Sequence, residues 1–443
     1  MRDPDELLEP FRAAEKPRDA WRIGAEVEKF GVDAATGAPL QYDGPRGVTR
    51  VFGALQALGW EPEAESPGGP ILALRRGDAS VTLEPGAQLE LSGAPLPDVH
   101  AICAELASHM AELRAISAEM NLAWLGVGFH PLATQASLPW VPKQRYAIMR
   151  EYLPPRGDGA LDMMRRTATV QANFDWSSEA DAMKKLRVCL ALSPIVHAMT
   201  ANAPFLEGRL AGTKSLRGDV WTRMDPARSG LVPPVLDARS PRYADYAEWA
   251  LDAGMFLFKR EGRVVANTGQ TFRSFLADGF EGHRATMADW RLHLATLFPE
   301  ARLKSTLEVR GCDSLPGALV CSVPAIFTGL LYDDRALDEA AALTEPLSVQ
   351  ALAAARDRLV REGLGCAIAG TSARALAERV LEIASGGLER RGRLRPDGQD
   401  ERAHLARLST LVAAGRSPAD DLTEGLPAGL PIEPTELISR CRV

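Results

Sequence analysis

Five glutamates stand at strand-like spacing in this chain, and carboxylates gathered in that way hold hard cations. Glu26 and Glu28 alternate with Ala25 and Val27 in WRIGAEVEKFG, Glu84, Gln88 and Glu90 alternate with Leu83, Ala87 and Leu89 in VTLEPGAQLELSG, and Glu308 stands in ARLKSTLEVRG. Side chains alternate faces along a strand, so each segment has one apolar face and one polar face. In TATVQANFDW the polar side carries Thr169, Gln171 and Asn173, and in ARLKSTLEVRG it carries Lys304, Thr306, Glu308 and Arg310. An ordinary antiparallel strand with a solvated side accounts for any one of these segments. Together they ask for more, because glutamate is depleted in strands and same-face carboxylates repel. Oxygen ligands without cysteine or histidine select Mg2+, or Mn2+, over zinc or copper, so Glu26, Glu28, Glu84, Gln88, Glu90 and Glu308 are the candidate metal ligands. Mg2+ keeps positions for water and substrate phosphates, which makes a nucleotide the expected partner. Lys304 and Arg310 are then the candidate catalytic cations, placed to hold a transferring phosphoryl group. Gln171 and Asn173 offer neutral hydrogen bonds to substrate or phosphate.

The elements that must position these residues follow from composition and pattern. The chain has 443 residues, with 51 Lys plus Arg against 58 Asp plus Glu, a net charge of −7 that argues against a nucleic-acid partner. With 46% hydrophobic and 25% charged residues it is a globular chain, neither disordered nor fibrous. No apolar run approaches the roughly 18 residues of a membrane span. The opening MRDPDELLEP is acidic and lacks an apolar stretch, so a cytoplasmic protein is expected. The six cysteines show no C-x-x-C spacing, and there is no H-E-x-x-H; the thiols read as buried or incidental. Neither a Walker motif nor a G-x-G-x-x-G between strand and helix is present, so phosphates must be held by metal and side chains on an antiparallel sheet. The fold class is α+β.

Helices are expected from Asp98 as N-cap through Ile102, Leu106, Met110, Leu113 and Ile116, and from Ser178 through Met183, Leu186, Leu190 and Ile195. SARALAERVLEIASGG reads as a helix stopped by Gly386 and Gly387. From about Leu337 onward the texture is helical, which divides the chain into a catalytic part, 1–335, and a helical C-terminal region, 336–443, packed on it. Tyr146 and Met149 share one side of a helix if their segment is helical.

The segments IGAEVEKFG, LEPGAQLELSGAP, RYAIMREYLP, LDMMRRTATVQANFDWSSEADAMKKLR, SLRGDVWTRMDPARSG, TGQTFRSFL and LEVRG, in that order, resemble the plant-type glutamate–cysteine ligases shared by plants and many bacteria. The resemblance implies a glutamine-synthetase-like fold, an antiparallel sheet curved around a funnel-shaped site and flanked by helices. It also implies ATP- and Mg2+-dependent joining of the glutamate γ-carboxylate to the cysteine amine through a γ-glutamyl phosphate. L-Glutamate, L-cysteine and ATP are the implied small-molecule partners, and the protein would be a monomer or homodimer. By the same resemblance Arg217, Trp221 and Arg228 help hold glutamate, while Tyr146 and Met149 line the cysteine pocket. Asn267 stands where plant members place a hairpin cysteine, so that regulatory disulfide does not carry over, and Cys312 and Cys321 are the remaining pair considered. A related ligase with another acceptor amine is the alternative reading, and a non-catalytic amino-acid or nucleotide binder a third.

Overall fold

Ile23, Ala25 and Val27 bury one face of an eleven-residue strand, β1 (Ile23–Asp33), which the rest of the fold is built around. The computed structural model describes residues 4–443. The other strands of the sheet are β2 (Glu61–Ala64), β3 (Ile71–Arg76), β4 (Ala79–Leu83), β5 (Leu89–Ser92), β6 (Leu122–Leu125), β7 (Thr169–Phe174), β8 (Ala301–Leu303) and β9 (Leu307–Asp313). Their order is β8-β9-β7-β1-β5-β4-β3-β2, with β6 pairing the far half of β1, and every neighbouring pair is antiparallel.

Register places the polar residues in rows across the sheet. Glu26 lies opposite Ser92 of β5 and Gln171 of β7, and Glu28 lies opposite Glu90, which in turn faces Thr82. Glu308 lies between Asn173 on one side and Arg302 on the other. Residues directly opposite share a face, so alternation along β1 is copied onto its neighbours.

Two of the expected strands are hairpins. Residues 81–92 turn at Glu84–Gln88, where Glu84 N–H donates to Gln88 O at 3.0 Å and Ala87 takes a positive φ of 64°. Pro85 has no N–H to give a ladder, and a Cβ on Gly86 would sit 2.4 Å from Arg165 O, so the segment bends there instead of running on. Residues 301–313 turn likewise after Leu303, which pairs with Leu307, and this puts Lys304 in the turn. The β7–β9 register shifts between Val309 and Cys312, a bulge that leaves the Arg310 and Gly311 carbonyls out of the ladder.

The apolar side of the sheet is covered by helices. Asp98 caps the helix Val99–Met120, its carboxylate accepting from Ala101 N–H at 2.8 Å, and Ser178 caps Glu179–Met199 in the same way. The helix Ser322–Leu331 is buried along its length against β7 and β1. The helix Ala373–Arg391 does not stop at Gly386 and Gly387 but runs to Gly392, which takes the left-handed conformation. Gly387 is a crossing point: a Cβ there would lie 1.9 Å from Gly329 O of Ser322–Leu331. Helices from Asp334–Thr344 to Ala406–Ala413 share one apolar cluster with the sheet, Pro418–Thr423 and Pro434–Cys441 pack into a second with the far half of β1, and the 335/336 boundary falls inside Asp334–Thr344.

The cysteines are not all incidental. Cys103 is bonded to Cys321, with 6.0 Å between their Cα atoms, while Cys189, Cys312, Cys366 and Cys441 are free and buried. Cys321 therefore pairs with Cys103 and not with Cys312.

Candidate active site

The polar face of the sheet floors a cavity of ≈ 340 Å³, walled by the helices Gln144–Tyr152 and Leu216–Thr222 and by Phe256 and Phe298. Every residue expected at the site lines it except Arg228, Asn173 and Glu308.

One half of the floor is acidic. Glu28 and Glu90 are buried and Glu26 and Glu84 half-buried. Neutral donors orient three of them. Asn173 Nδ2 donates to Glu26 Oε1 at 2.8 Å and Thr169 N–H to Glu28 Oε2 at 3.1 Å, while Glu90 Oε1 accepts from Thr82 Oγ1 at 2.8 Å and Ser92 Oγ at 2.6 Å. Among the described residues no ion pair joins Glu26, Glu28, Glu84 or Glu90 to a cationic side chain. Burial first, then repulsion from Glu308 and Glu90, pushes the Glu26 carboxyl up to about 7. Burial with Glu84 and Glu90 raises Glu28 well above the usual carboxylate range, and Glu90 is raised by burial and Glu84. Oriented carboxylates without ion-pair partners, lining one cavity, are oxygen donors of the kind a hard divalent cation takes.

The other half is basic. Arg302 clasps Glu308 in a bidentate pair, Nε to Oε2 at 2.6 Å and Nη2 to Oε1 at 2.9 Å. Arg310 Nη1 adds a bond to Glu308 Oε1 at 3.0 Å and one to Gln171 Oε1 at 2.7 Å, and Lys304 Nζ lies 3.4 Å from Glu308 Oε2. Burial favours a neutral Glu308, but the three cations win and hold its carboxyl below the ordinary range. Glu308 is thus not a free metal ligand, since both oxygens are committed to cations and the residue is fully buried. Its place is beneath the site, aligning Lys304 and Arg310 at the cavity wall.

Three further expectations change. Gln88 is at the cavity, but its amide ties the hairpin turn: Oε1 accepts from Gly86 N–H at 2.9 Å and Nε2 donates to Thr167 O at 2.8 Å. Asn173 touches Glu26 and Thr306 and does not line the cavity. Arg228 is neither a solvated loop residue nor a cavity residue. It is fully buried, pairs with Asp225 at 3.1 Å, donates to Thr296 O at 2.9 Å, and stacks 3.9 Å from the Phe256 ring centre. It braces the wall that Phe256 presents to the cavity.

Arg217 and Trp221 lie one turn apart on Leu216–Thr222. Ser215 caps this helix, accepting from Gly218 N–H at 2.9 Å, and donates to Asp313 Oδ1 at 2.9 Å. Arg217 donates to the bulge carbonyls, Nη2 to Arg310 O at 2.8 Å and Nη1 to Gly311 O at 2.9 Å. Trp221 Nε1 is buried with no hydrogen-bond partner among the described residues. Tyr146 and Met149 do share a helix, and Tyr146 Oη donates to Leu83 O at 2.7 Å. Lys143 and Arg145 sit over the Tyr146 ring, 5.4 and 5.1 Å from its centre, and line the cavity beside Glu84. Sequence reading passed over Lys143 and Arg145, which have no periodic signature, and Arg302, which stands on the polar side of ARLKSTLEVRG two residues before Lys304. Alternation could have placed Arg302 on that face, and its cross-strand pairing with Glu308 shows what it holds.

The polar face of the antiparallel sheet thus joins a carboxylate cluster to a cation cluster in one cavity. The glutamate–cysteine ligase family 2 model matches residues 22–433. The chain is 40% identical over 424 residues to the chloroplastic glutamate–cysteine ligase of Brassica juncea, covering 95% of this chain and 80% of that protein. It is 40% identical over 423 residues to the Arabidopsis thaliana chloroplastic enzyme, with 95% and 79% covered. The crystal structure of a glutamate–cysteine ligase from Francisella tularensis in complex with AMP shares the fold at a TM-score of 0.56 and 11% identity, over 95% of this chain and 87% of that one. The chain belongs to the glutamate–cysteine ligase family 2 and has the glutamine-synthetase-like fold of these enzymes. The expected cytoplasmic location is not borne out: the plant relatives are named as chloroplastic enzymes.

Proposed function

We propose that this cavity joins the γ-carboxylate of L-glutamate to the amine of L-cysteine at the expense of ATP, giving γ-glutamylcysteine. The observation that carries the reading is the divided floor, four unpaired carboxylates on one side and the Lys304–Arg310 cations on the other. A carboxylate and an ammonium do not condense in water, so the γ-carboxylate first attacks the γ-phosphate of ATP and ADP leaves. The amine then attacks the acyl carbon and loses a proton as the amide bond forms, and inorganic phosphate departs carrying one oxygen of the former carboxylate.

Glu26, Glu28, Glu84 and Glu90 would hold Mg2+, and Mn2+ suits the same ligands. The metal, when bound, neutralises phosphate charge. Arg310 and Lys304 face the same space and stabilise the anionic phosphoryl group, their positions fixed in advance by Glu308 and Gln171. Arg217 anchors the bulge and shares the substrate wall with Trp221, whose free Nε1–H is a donor for an acceptor-substrate oxygen. Tyr146 and Met149 give an aromatic and thioether surface suited to a thiol. Lys143 and Arg145 add charge complementary to substrate carboxylates.

The test is phosphate release by purified protein with ATP, Mg2+ and glutamate while the acceptor is varied. Cysteine should stimulate release well beyond 2-aminobutyrate or alanine. Equal rates, or a clear preference for another amine, would reject cysteine as acceptor.

A further inference from the structure

Behind the sheet, remote in sequence and element from the cavity walls, three elements bring sulfur and imidazole together. Cys103 and His100 stand in the first turns of the helix Val99–Met120, Cys321 is the N-cap residue of Ser322–Leu331, and His404 ends the turn Glu401–His404 of the C-terminal region. Ligand atoms of Cys103, Cys321 and His404 all lie within 4.8 Å of one another. His404 Nδ1 is 3.5 Å from Cys103 Sγ, and His404 Nε2 is 3.0 Å from His100 Nδ1.

The tautomers follow from the neighbours. Arg395 can only donate, and its Nε lies 3.0 Å from His100 Nδ1, so that nitrogen is an acceptor. His404 Nε2 must then carry the proton it shares with His100 Nδ1; the longer Arg395 Nη2 contact to His404 Nε2, at 3.4 Å, does not outweigh this. The bare Nδ1 of His404 is left aimed at sulfur. A ligating imidazole that donates its other N–H to a fixed acceptor is the usual outer-shell arrangement of a metal site.

The geometry points to a second metal site: when the Cys103–Cys321 bond is reduced, the two thiolates and His404 Nδ1 take one Zn2+-like ion, clamping the C-terminal region to the helices under the sheet. Two thiolates and an imidazole select a borderline-soft cation over Mg2+, so this site and the carboxylate floor do not compete for the same ion. A dithiol supplies the electrons. It gives two electrons and two protons to the S–S bond and is oxidised to its own disulfide, and the ion then displaces the two thiol protons. A disulfide oxidant, itself reduced to a dithiol, would take two electrons from the thiolates, expel the ion and restore the bond, so the clamp persists in both states through different chemistry.

Cobalt tests this without any assay of turnover. Full-length protein is reduced with a dithiol, freed of reductant under argon and titrated with Co2+. One equivalent should produce a thiolate-to-metal charge-transfer band in the near ultraviolet and intense visible bands of a tetrahedral ion, both displaced by Zn2+. Cys321→Ser should remove the charge-transfer band or halve it, His404→Ala should weaken binding at least tenfold, and Glu28→Gln should leave the bands unchanged. If serine variants do not fold, Zn2+ should still slow alkylation of Cys103 and Cys321 in the reduced wild-type protein, read by mass spectrometry. No charge-transfer band in the reduced protein, a band indifferent to Cys321→Ser, or alkylation rates unaffected by Zn2+ would overturn the proposal and leave the pair a disulfide only.

Discussion

Arg302 and Glu308 are enclosed together, with side chains 8% and 0% exposed, so each depends on the other for its charge. Removing one partner of such a pair strands the other in low dielectric, which typically costs about 3–5 kcal/mol. Arg302→Met should fall at the low end, about 3 kcal/mol in urea unfolding, because Arg310 and Lys304 still reach Glu308. It should also slow turnover, since those two cations would swing toward Glu308 and away from the cavity. Unchanged stability with unchanged turnover would show that Glu308 does not organise them. The same logic explains why Glu308 and Arg228 read differently in sequence and in space. Glu308 was legible as a polar-face carboxylate and alternation puts Arg302 on the same side, but only the hairpin register sets Arg302 opposite Glu308 and commits both carboxylate oxygens. Arg228 was legible only as a cation in a loop, and nothing local shows that Asp225 and the Phe256 ring bury it.

At the scale of elements, two adjacent glycines on one helix should respond with opposite signs. Gly387→Ala puts a Cβ 1.9 Å from Gly329 O and must push two helices apart, an overpacking cost of about 1–3 kcal/mol. Gly386→Ala meets only the mobile end of Arg390, at 3.2 Å, and should stabilise the helix by about 0.5–1 kcal/mol. Thermal melts of the two variants, bracketing wild type, would confirm the crossing. Both glycines looked like a helix stop because local propensity is all that a sequence window contains, whereas close packing with Gly329 depends on a residue nearly sixty positions away. The strands were more legible. Alternation gave β1 and β7 with their faces, and it put Glu84, Glu90 and Arg310 on the correct side even though both outer segments are hairpins. A two-stranded hairpin preserves facing when the turn contributes the right parity, so the error in topology did not propagate to the site. The bulge at Arg310–Gly311 and the Cys103–Cys321 link, both made by contacts distant in sequence, carried no local signal.

For the molecule as a whole, the proposed metal and protons would compete for one cluster. Glu26 has an ordinary value of 4.5 and is held at about 7 in the fold, so the metal-free protein retains protons that its unfolded chain releases near 4.5. Such a raised acid favours folding at low pH, and its contribution declines as pH climbs from about 4.5 to about 7. Mg2+ binding must expel those protons. Affinity should therefore rise with pH up to about 7 and then level off, and titration calorimetry at pH 6 in buffers of different ionisation enthalpy should show net proton release. No proton release at pH 6 would mean that the metal does not sit on Glu26 and Glu28.

The most direct test is Glu28→Gln, which keeps the side chain's size and the bond from Thr169 N–H while removing the ligand charge. Cysteine-dependent phosphate release with ATP, glutamate and saturating Mg2+ should fall by roughly 100-fold or more, with the thermal melt of the metal-free protein unchanged or raised. A variant that folds and turns over at the wild-type rate would contradict the assignment of the carboxylate floor to metal-assisted ligation.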